Sequence, residues 1–373
     1  MHDFTTNVSV ALGIKLHFCQ GAHVIFPRGG RKLHLKVTVP SNGESVFDAD
    51  VQETPVQQTE FRTQQTYHIP WQVEIWQAGQ LVVRHQLNLT GQQVCLDMRD
   101  AELADAIPWM GSAAVFQKAY NPRLTILLKN RELATLFASE YPQFTFLAPE
   151  RYSADDFYAC YPFDKWNEKE AVHSPVSYQR LSPQDYADSL LMTISERKPP
   201  QLAPAAEDLA KEYGKYVCIT KRAQYKMQEW NNPDGWAKVV DFLKKSGYRV
   251  FDLDDEVLDG AEKLEGEATL VRKLSLVRGC ASAVGVASGY GWLAWACGKP
   301  VVLVAGCTED GGDFPTKFRV GNDKVCHGCF HRCAMPLKSN DTCPEGKDFV
   351  CTSSITAEQV IETIKKVPEF KEK

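Results

Sequence analysis

The sequence predicts an α/β protein with two Rossmann-like halves, a β-rich segment ahead of them and a cysteine-bearing finger near the carboxyl end. Three observations carry this. Short apolar strands alternate with helical stretches in two series, one starting at Val94 and one at Tyr216. Residues 1–92 instead alternate apolar and polar positions between turn-forming stretches. Five of the twelve cysteines fall between Lys324 and Cys351.

The bulk numbers narrow the function classes. The chain has 373 residues, is 44% hydrophobic and 24% charged, and carries a formal net charge of −5. That balance gives no global electrostatic reason to bind nucleic acid or an anionic membrane. MHDFTTNVSVALGIKLHF has no basic stretch leading into an apolar block, so no secretory signal is expected. No apolar run approaches the roughly 18 residues that a membrane span needs. The expectation is a cytoplasmic protein, in which disulfides rarely persist.

The elements follow in order. GIKLHFCQGAHVIF, RKLHLKVTV, YHIPWQVEIWQ and QLVVRHQLNLT read as strands of a β-rich domain, 1–92, separated by PRGGR, PSNGES and QAG. A first Rossmann-like domain, 93–205, opens with the strand VCLDM and the helical AELADAIPWMGSAAVFQKAY. RLTILLKN, ELATLFASEY and FTFLAPE continue it as strand, helix and strand. SERKPPQLAPA reads as a linker. A second Rossmann-like domain, 206–373, alternates YVCIT, DGWAKVVDFLKKSG, YRVFDLD, TLVRKLSLVRGC, ASAVGVA, GYGWLAWACG and PVVLVAG. Gly247 is placed to end the first of these helices. ITAEQVIETIKKV closes the chain as a helix. Two such halves joined by a linker are the layout of a GT-B glycosyltransferase. A dehydrogenase is disfavoured, because no G-x-G-x-x-G follows a first strand.

Three stretches could carry chemistry. In VGVASGYGW a buried strand ends at Ala287, and Ser288, Gly289 and Gly291 open a helix. Free amides at a helix start, with glycines permitting close approach, suit a diphosphate; a ligand-free strand–helix turn has the same appearance. In KRAQYKMQEW, at the carboxyl end of the half's first strand, Lys221, Arg222 and Lys226 could neutralise phosphate, and Lys226 is the preferred donor-binding residue. Asp105 follows the strand VCLDM. It could take a proton from an attacking hydroxyl, or it could cap its helix.

The finger, 324–352, has Cys326 and Cys329 as a C-x2-C knuckle, then Cys343 and Cys351 among turn and polar residues. In a reducing compartment four thiolates read as a tetrahedral structural metal site, and spacing does not choose between zinc and iron. Cys333 is a possible substitute ligand. Cys19, Cys95, Cys160, Cys218, Cys280, Cys297 and Cys307 sit among apolar neighbours and read as small core residues.

WNNPDGWAKVVDFLKKSGYRV, SGYGWLAWACGKPVVLVAG, the CHGC–CP–FVCTSSIT run and GIKLHFCQGAHVIFP together resemble the bacterial autotransporter heptosyltransferases, a branch of the glycosyltransferase family 9 superfamily. The resemblance covers nearly the whole chain. It implies a GT-B protein O-glycosyltransferase that moves heptose from ADP-heptose to serine hydroxyls of an autotransporter adhesin in the cytosol. It further implies Asp105 as the catalytic aspartate, iron on Cys326, Cys329, Cys343 and Cys351, and a homo-oligomer, a ring of twelve. The chain departs from the family at Ala104, where a glycine precedes the aspartate; at Gln228, where an ungapped match puts the basic donor residue; and at Asp313–Phe314, in place of Glu-Phe. Because these changes surround the donor pocket, two alternatives stand beside the main reading: a silent nucleotide-binding or scaffold relative, and transfer of another sugar such as a hexose.

Overall fold

Strands buried on both faces require cover from helices on both sides, and two stretches of the chain supply that arrangement. The computed structural model describes residues 8–9, 11–153, 156–164, 170–176, 181–332 and 341–371. The amino-terminal strands are β1 (Val8–Ser9), β2 (Lys15–Cys19), β3 (His23–Phe26), β4 (Lys32–Val39), β5 (Glu44–Gln52), β6 (Thr59–Arg62), β7 (Gln72–Gln77) and β8 (Gln80–Gln86). β4, β5, β7 and β8 form their own antiparallel sheet, in the order β5-β4-β7-β8. On β4, Leu33, Leu35 and Val37 are buried while Lys32, His34 and Lys36 turn outward, the period-two pattern of a half-buried strand.

β2, β3 and β6 instead join the first α/β lobe. That lobe continues through β9 (Gln93–Asp97), α1 (Leu103–Tyr120), β10 (Arg123–Leu127), α2 (Arg131–Thr135), β11 (Thr145–Leu147), β12 (Ala159–Pro162), α3 (Glu170–His173) and α4 (Pro183–Leu191). Its sheet runs β11-β10-β9-β12-β2-β3-β6, with β1 against β2. β11, β10, β9, β12 and β2 are mutually parallel, and β3 and β6 are antiparallel additions. Residue 92 therefore does not separate two sheets, because β2 pairs with β12 across more than a hundred residues of sequence. Four of the five β2 side chains are buried, as a sheet interior requires.

The second lobe holds α5 (Leu209–Tyr213), β13 (Tyr216–Thr220), α6 (Gly235–Lys245), β14 (Arg249–Asp252), α7 (Leu270–Gly279), β15 (Ser282–Gly285), α8 (Gly289–Ala296), β16 (Val301–Val304), β17 (Phe318–Val320), α9 (Val350–Ser353) and α10 (Ala357–Ile364). Every residue of β13, β15 and β16 is buried. Gly247, just past α6, has a φ of 83°, the left-handed conformation that ends a helix. The sheet is wholly parallel in the order β14-β13-β15-β16-β17. Counted within the lobe this is 2-1-3-4-5, whose switch point lies between β13 and β15, where open α/β sheets bind ligands.

The linker is tied to both lobes. The Ala203 amide donates to Leu136 O at 2.8 Å, and Arg278 donates to the carbonyls of Ala203 at 3.0 Å and Leu202 at 2.7 Å. Helices α1 and α8 pack on one another across the interlobe crevice.

Candidate active site

A cavity of about 350 Å³ opens at the β13/β15 switch point, walled on its far side by the start of α1. This is within the usual size range of small-molecule sites. Asp105, Ser288 and Gly289, from opposite lobes, all line it.

Local sequence builds each wall. Ser288 is the N-cap of α8: its hydroxyl accepts the Gly291 amide at 3.2 Å and also hydrogen-bonds Thr220 Oγ1, which follows from the β13/β15 pairing. The serine thus shapes the helix start, at the positive end of the α8 dipole, where the first amides lack helical carbonyl acceptors. A Cβ on Gly289 would lie 2.8 Å from Leu103 Cβ, so the absent side chain is what lets the lobes meet there. Gly291 does not line the cavity. A Cβ there would lie 2.6 Å from Val286 O and 3.2 Å from the Phe314 ring, so its role is strand–helix packing.

Across the cavity, Asp105 is 1% exposed. It is not the N-cap of α1, which is Glu102; it sits three residues on, where its Oδ2 accepts the Glu102 amide at 3.2 Å. Pro108 lies inside α1 and has no amide, so the carbonyl of Ala104, another lining residue, lacks its usual helical donor.

Lys226 is not among the lining residues. It occupies a 3₁₀ turn, Lys226–Gln228, with its ammonium 5.9 Å from the centre of the Phe349 ring. Two positions along such a turn separate side chains widely, and it is Gln228 that lines the cavity, together with Arg222. The half-exposed Arg222 guanidinium pairs with Glu256 and Glu229. Lys221 is spent on a structural pair, 3.3 Å from the buried Asp252.

Asp254 and Asp313 also line the cavity, beside Glu102; Asp313 figured in the sequence only as a departure near the donor pocket, and Asp254 not at all. Burial pushes the Asp254 carboxyl upward in pKa, against the pull of the Arg222 and Lys221 amides that donate to it at 3.0 and 2.7 Å. Burial likewise raises Asp313, which Thr308 Oγ1 bonds at 2.6 Å. Tyr225, Tyr290, Trp292 and Phe330 supply aromatic surface. Among the described residues only Phe330 comes from the finger, and nothing in its local sequence announces this.

In the finger, Cys329 and Cys351 are buried and Cys326 and Cys343 half-buried. Gly328, at a φ of 65°, makes the C-x2-C turn. Burial disfavours the Cys343 thiolate, yet the amides of Phe349, Lys347, Glu345 and Gly346 outweigh it and hold the pKa down. Cys351 is raised, first by burial and then by the nearby Cys343 and Cys326. Thiols so placed suit a soft or borderline metal. Among the described residues, however, no three His, Cys, Asp or Glu side chains are gathered at ligating distances. Cys333 lies outside the described residues. Among those residues no helix is long and apolar enough to cross a membrane.

No family model matches the chain. An autotransporter heptosyltransferase from Citrobacter rodentium is 29% identical over 92% of this chain and 86% of its own length. A Burkholderia thailandensis relative, named an inactive autotransporter heptosyltransferase, is 26% identical over 95% of this chain and 86% of its own length. Among solved structures, the dodecameric iron-containing glycosyltransferase TibC from enterotoxigenic Escherichia coli superposes with a TM-score of 0.86 at 26% identity, covering 98% of this chain and 99% of that one. A second TibC structure, in complex with ADP-D-β-D-heptose, gives a TM-score of 0.85. Over nine-tenths of its length in sequence, and in fold, the chain is similar to the bacterial autotransporter heptosyltransferases.

Proposed function

We propose that the protein is a GT-B glycosyltransferase that moves heptose from ADP-heptose to serine hydroxyls of an autotransporter adhesin. The observation that carries this reading is the single cavity shared by Asp105 and the start of α8. The diphosphate would rest against the early amides of α8. Asp105 would take the serine proton as the oxygen attacks the anomeric carbon, and the bond from that carbon to the departing ADP oxygen breaks. Charge developing on ADP is met by oriented amides, with Arg222 and Gln228 beside them in place of Lys226. Asp254 and Asp313, with the Ala104 carbonyl, are acceptors suited to sugar hydroxyls.

Cys326, Cys329, Cys343 and Cys351 would hold a structural metal, iron by analogy with TibC or alternatively zinc. Four thiolates supply tetrahedral ordering and leave no open position. The chain would assemble as a homo-oligomer, a twelve-subunit ring by analogy with TibC, and work in the cytoplasm on the adhesin before export.

A silent relative is the second reading, favoured by the inactive Burkholderia homologue. Purified protein, ADP-heptose and a co-expressed adhesin separate the two. Transfer releases ADP and adds the mass of one heptosyl unit per modified serine. No ADP release and an unchanged adhesin mass would overturn the main reading. Mass addition from a hexose donor but not from ADP-heptose would reassign the sugar.

A further inference from the structure

The finger and the cavity share a wall. Phe330, the residue after Cys329, lines the cavity, is 8% exposed and packs in the same core cluster as Trp292 and Phe314. Its placement is set by main-chain bonds: the Phe330 amide donates to Cys307 O at 2.9 Å and the Gly328 amide to Gly306 O at 3.0 Å. These two bonds flank Cys329 and stitch the C-x2-C knuckle to the loop that leaves β16. The same loop carries Thr308, Gly312 and Asp313 into the cavity.

The docking is tight on the loop side. A Cβ on Gly306 would fall 2.5 Å from Cys351 O; one on Gly328, 2.7 Å from Glu309 Cγ; and one on Gly312, 2.4 Å from His331 Nε2. Close-packed elements of this kind transmit displacement rather than absorb it. Movement of the knuckle therefore moves Phe330 and the Thr308–Asp313 loop together.

We propose that the Cys326–His331 segment is part of the donor site, with the Phe330 ring contacting the bound nucleotide sugar, so that ligation of the knuckle thiols and nucleotide affinity are coupled. This rests on the donor reading of the cavity. It goes beyond a finger that orders only itself, because it assigns a substrate contact to the finger and makes nucleotide affinity depend on the metal. Coupling between two sites is reciprocal: if metal tightens nucleotide binding, nucleotide must tighten metal binding by the same free energy.

The test is calorimetry with ADP as the probe, on the full-length, metal-loaded protein, alongside Phe330→Ala. The variant is expected to keep its metal content and circular-dichroism spectrum and to bind ADP about tenfold more weakly; Phe330→Tyr should restore most of the affinity. In wild type, saturating ADP should raise the metal affinity measured at equilibrium in competition with a chelator, and in Phe330→Ala this gain should shrink. If Phe330→Ala fails to fold, Gly312→Ala takes its place, since it presses on His331 from the cavity side and should weaken ADP with the metal retained. Equal ADP affinity in wild type and variant, or a metal affinity indifferent to ADP, would overturn the coupling. A wild type that binds no ADP at all would instead overturn the donor reading.

Discussion

Two helix starts face one another across the crevice, each following a buried parallel strand, and they are finished in opposite ways. At α8 the first residues are Ser288, Gly289, Tyr290 and Gly291, with no acidic side chain in the turn. Its dipole and early amides are left for an outside anion. At α1 the corresponding positions are Glu102, Leu103, Ala104 and Asp105, and Asp105 answers the Glu102 amide itself. There the helix end is satisfied from within, and a carboxylate is held at the crevice. On the proposed function, one backbone geometry yields a phosphate cradle or a base depending on three or four side chains.

The sharpest way to break this contrast is to remove the charge from one side only. Asp105→Asn should lower transfer by about 10²- to 10⁴-fold, the usual worth of a general base, while ADP affinity measured by calorimetry stays within about twofold. Equal loss of both would merge the two roles and remove Asp105 from proton transfer.

The lobes should also differ in acid. His68, packed edge-on against Phe116 and Tyr120 of α1, is pushed down to about 4 by burial. Its folded pKa lies below its unfolded value near 6.5, so the unfolded chain binds the proton first. Stability from this group is intact above about pH 6.5 and lost as pH falls toward 4, by about 3 kcal/mol. His68→Phe should flatten this part of the melting-temperature profile relative to wild type; parallel profiles would refute the assignment.

Gly289→Ala tests the contact between the two starts. The added methyl meets Leu103 Cβ, and such overpacking costs about 1–3 kcal/mol. Donor KM should rise, and Leu103→Ala in the same chain should recover part of it. Unchanged kinetics in the single variant would mean the lobes are not held at this point during turnover. The smallest effect sharpens the α8 side: Arg222→Met should raise donor KM about tenfold, a charge-assisted contact's worth, whereas Lys226→Met should leave it unchanged. The reverse ranking would restore Lys226 to the site.

How much of this was legible in sequence follows the range of the interactions. β13, β15 and β16 are continuous apolar runs, so their burial between helix layers could be read locally, and the Ser288–Gly289 turn came with them. Asp105 was readable as a candidate but not in role, since capping and catalysis ask for the same residue type near a helix start. The membership of β2 in the first lobe was not readable, because Cys19 meets Cys160 only through long-range pairing. Lys226 falls outside the cavity lining and Gln228 within it, because charge is visible in sequence while the facing of a 3₁₀ turn is not. β17 was overlooked because its three residues, Phe318–Val320, carry too little pattern. Phe330 reaches the cavity through two main-chain bonds to the β16 loop, which leave no mark in its own neighbourhood.

Arg278 has a consequence for how substrates enter. By holding the backbone oxygens at 202 and 203 it fastens the strap between the lobes to α7. A swivel centred on that strap would have to break both bonds at once. Parting the Leu103–Gly289 seam at the crevice mouth leaves both bonds intact, as a book opens from its fore-edge while the spine stays glued.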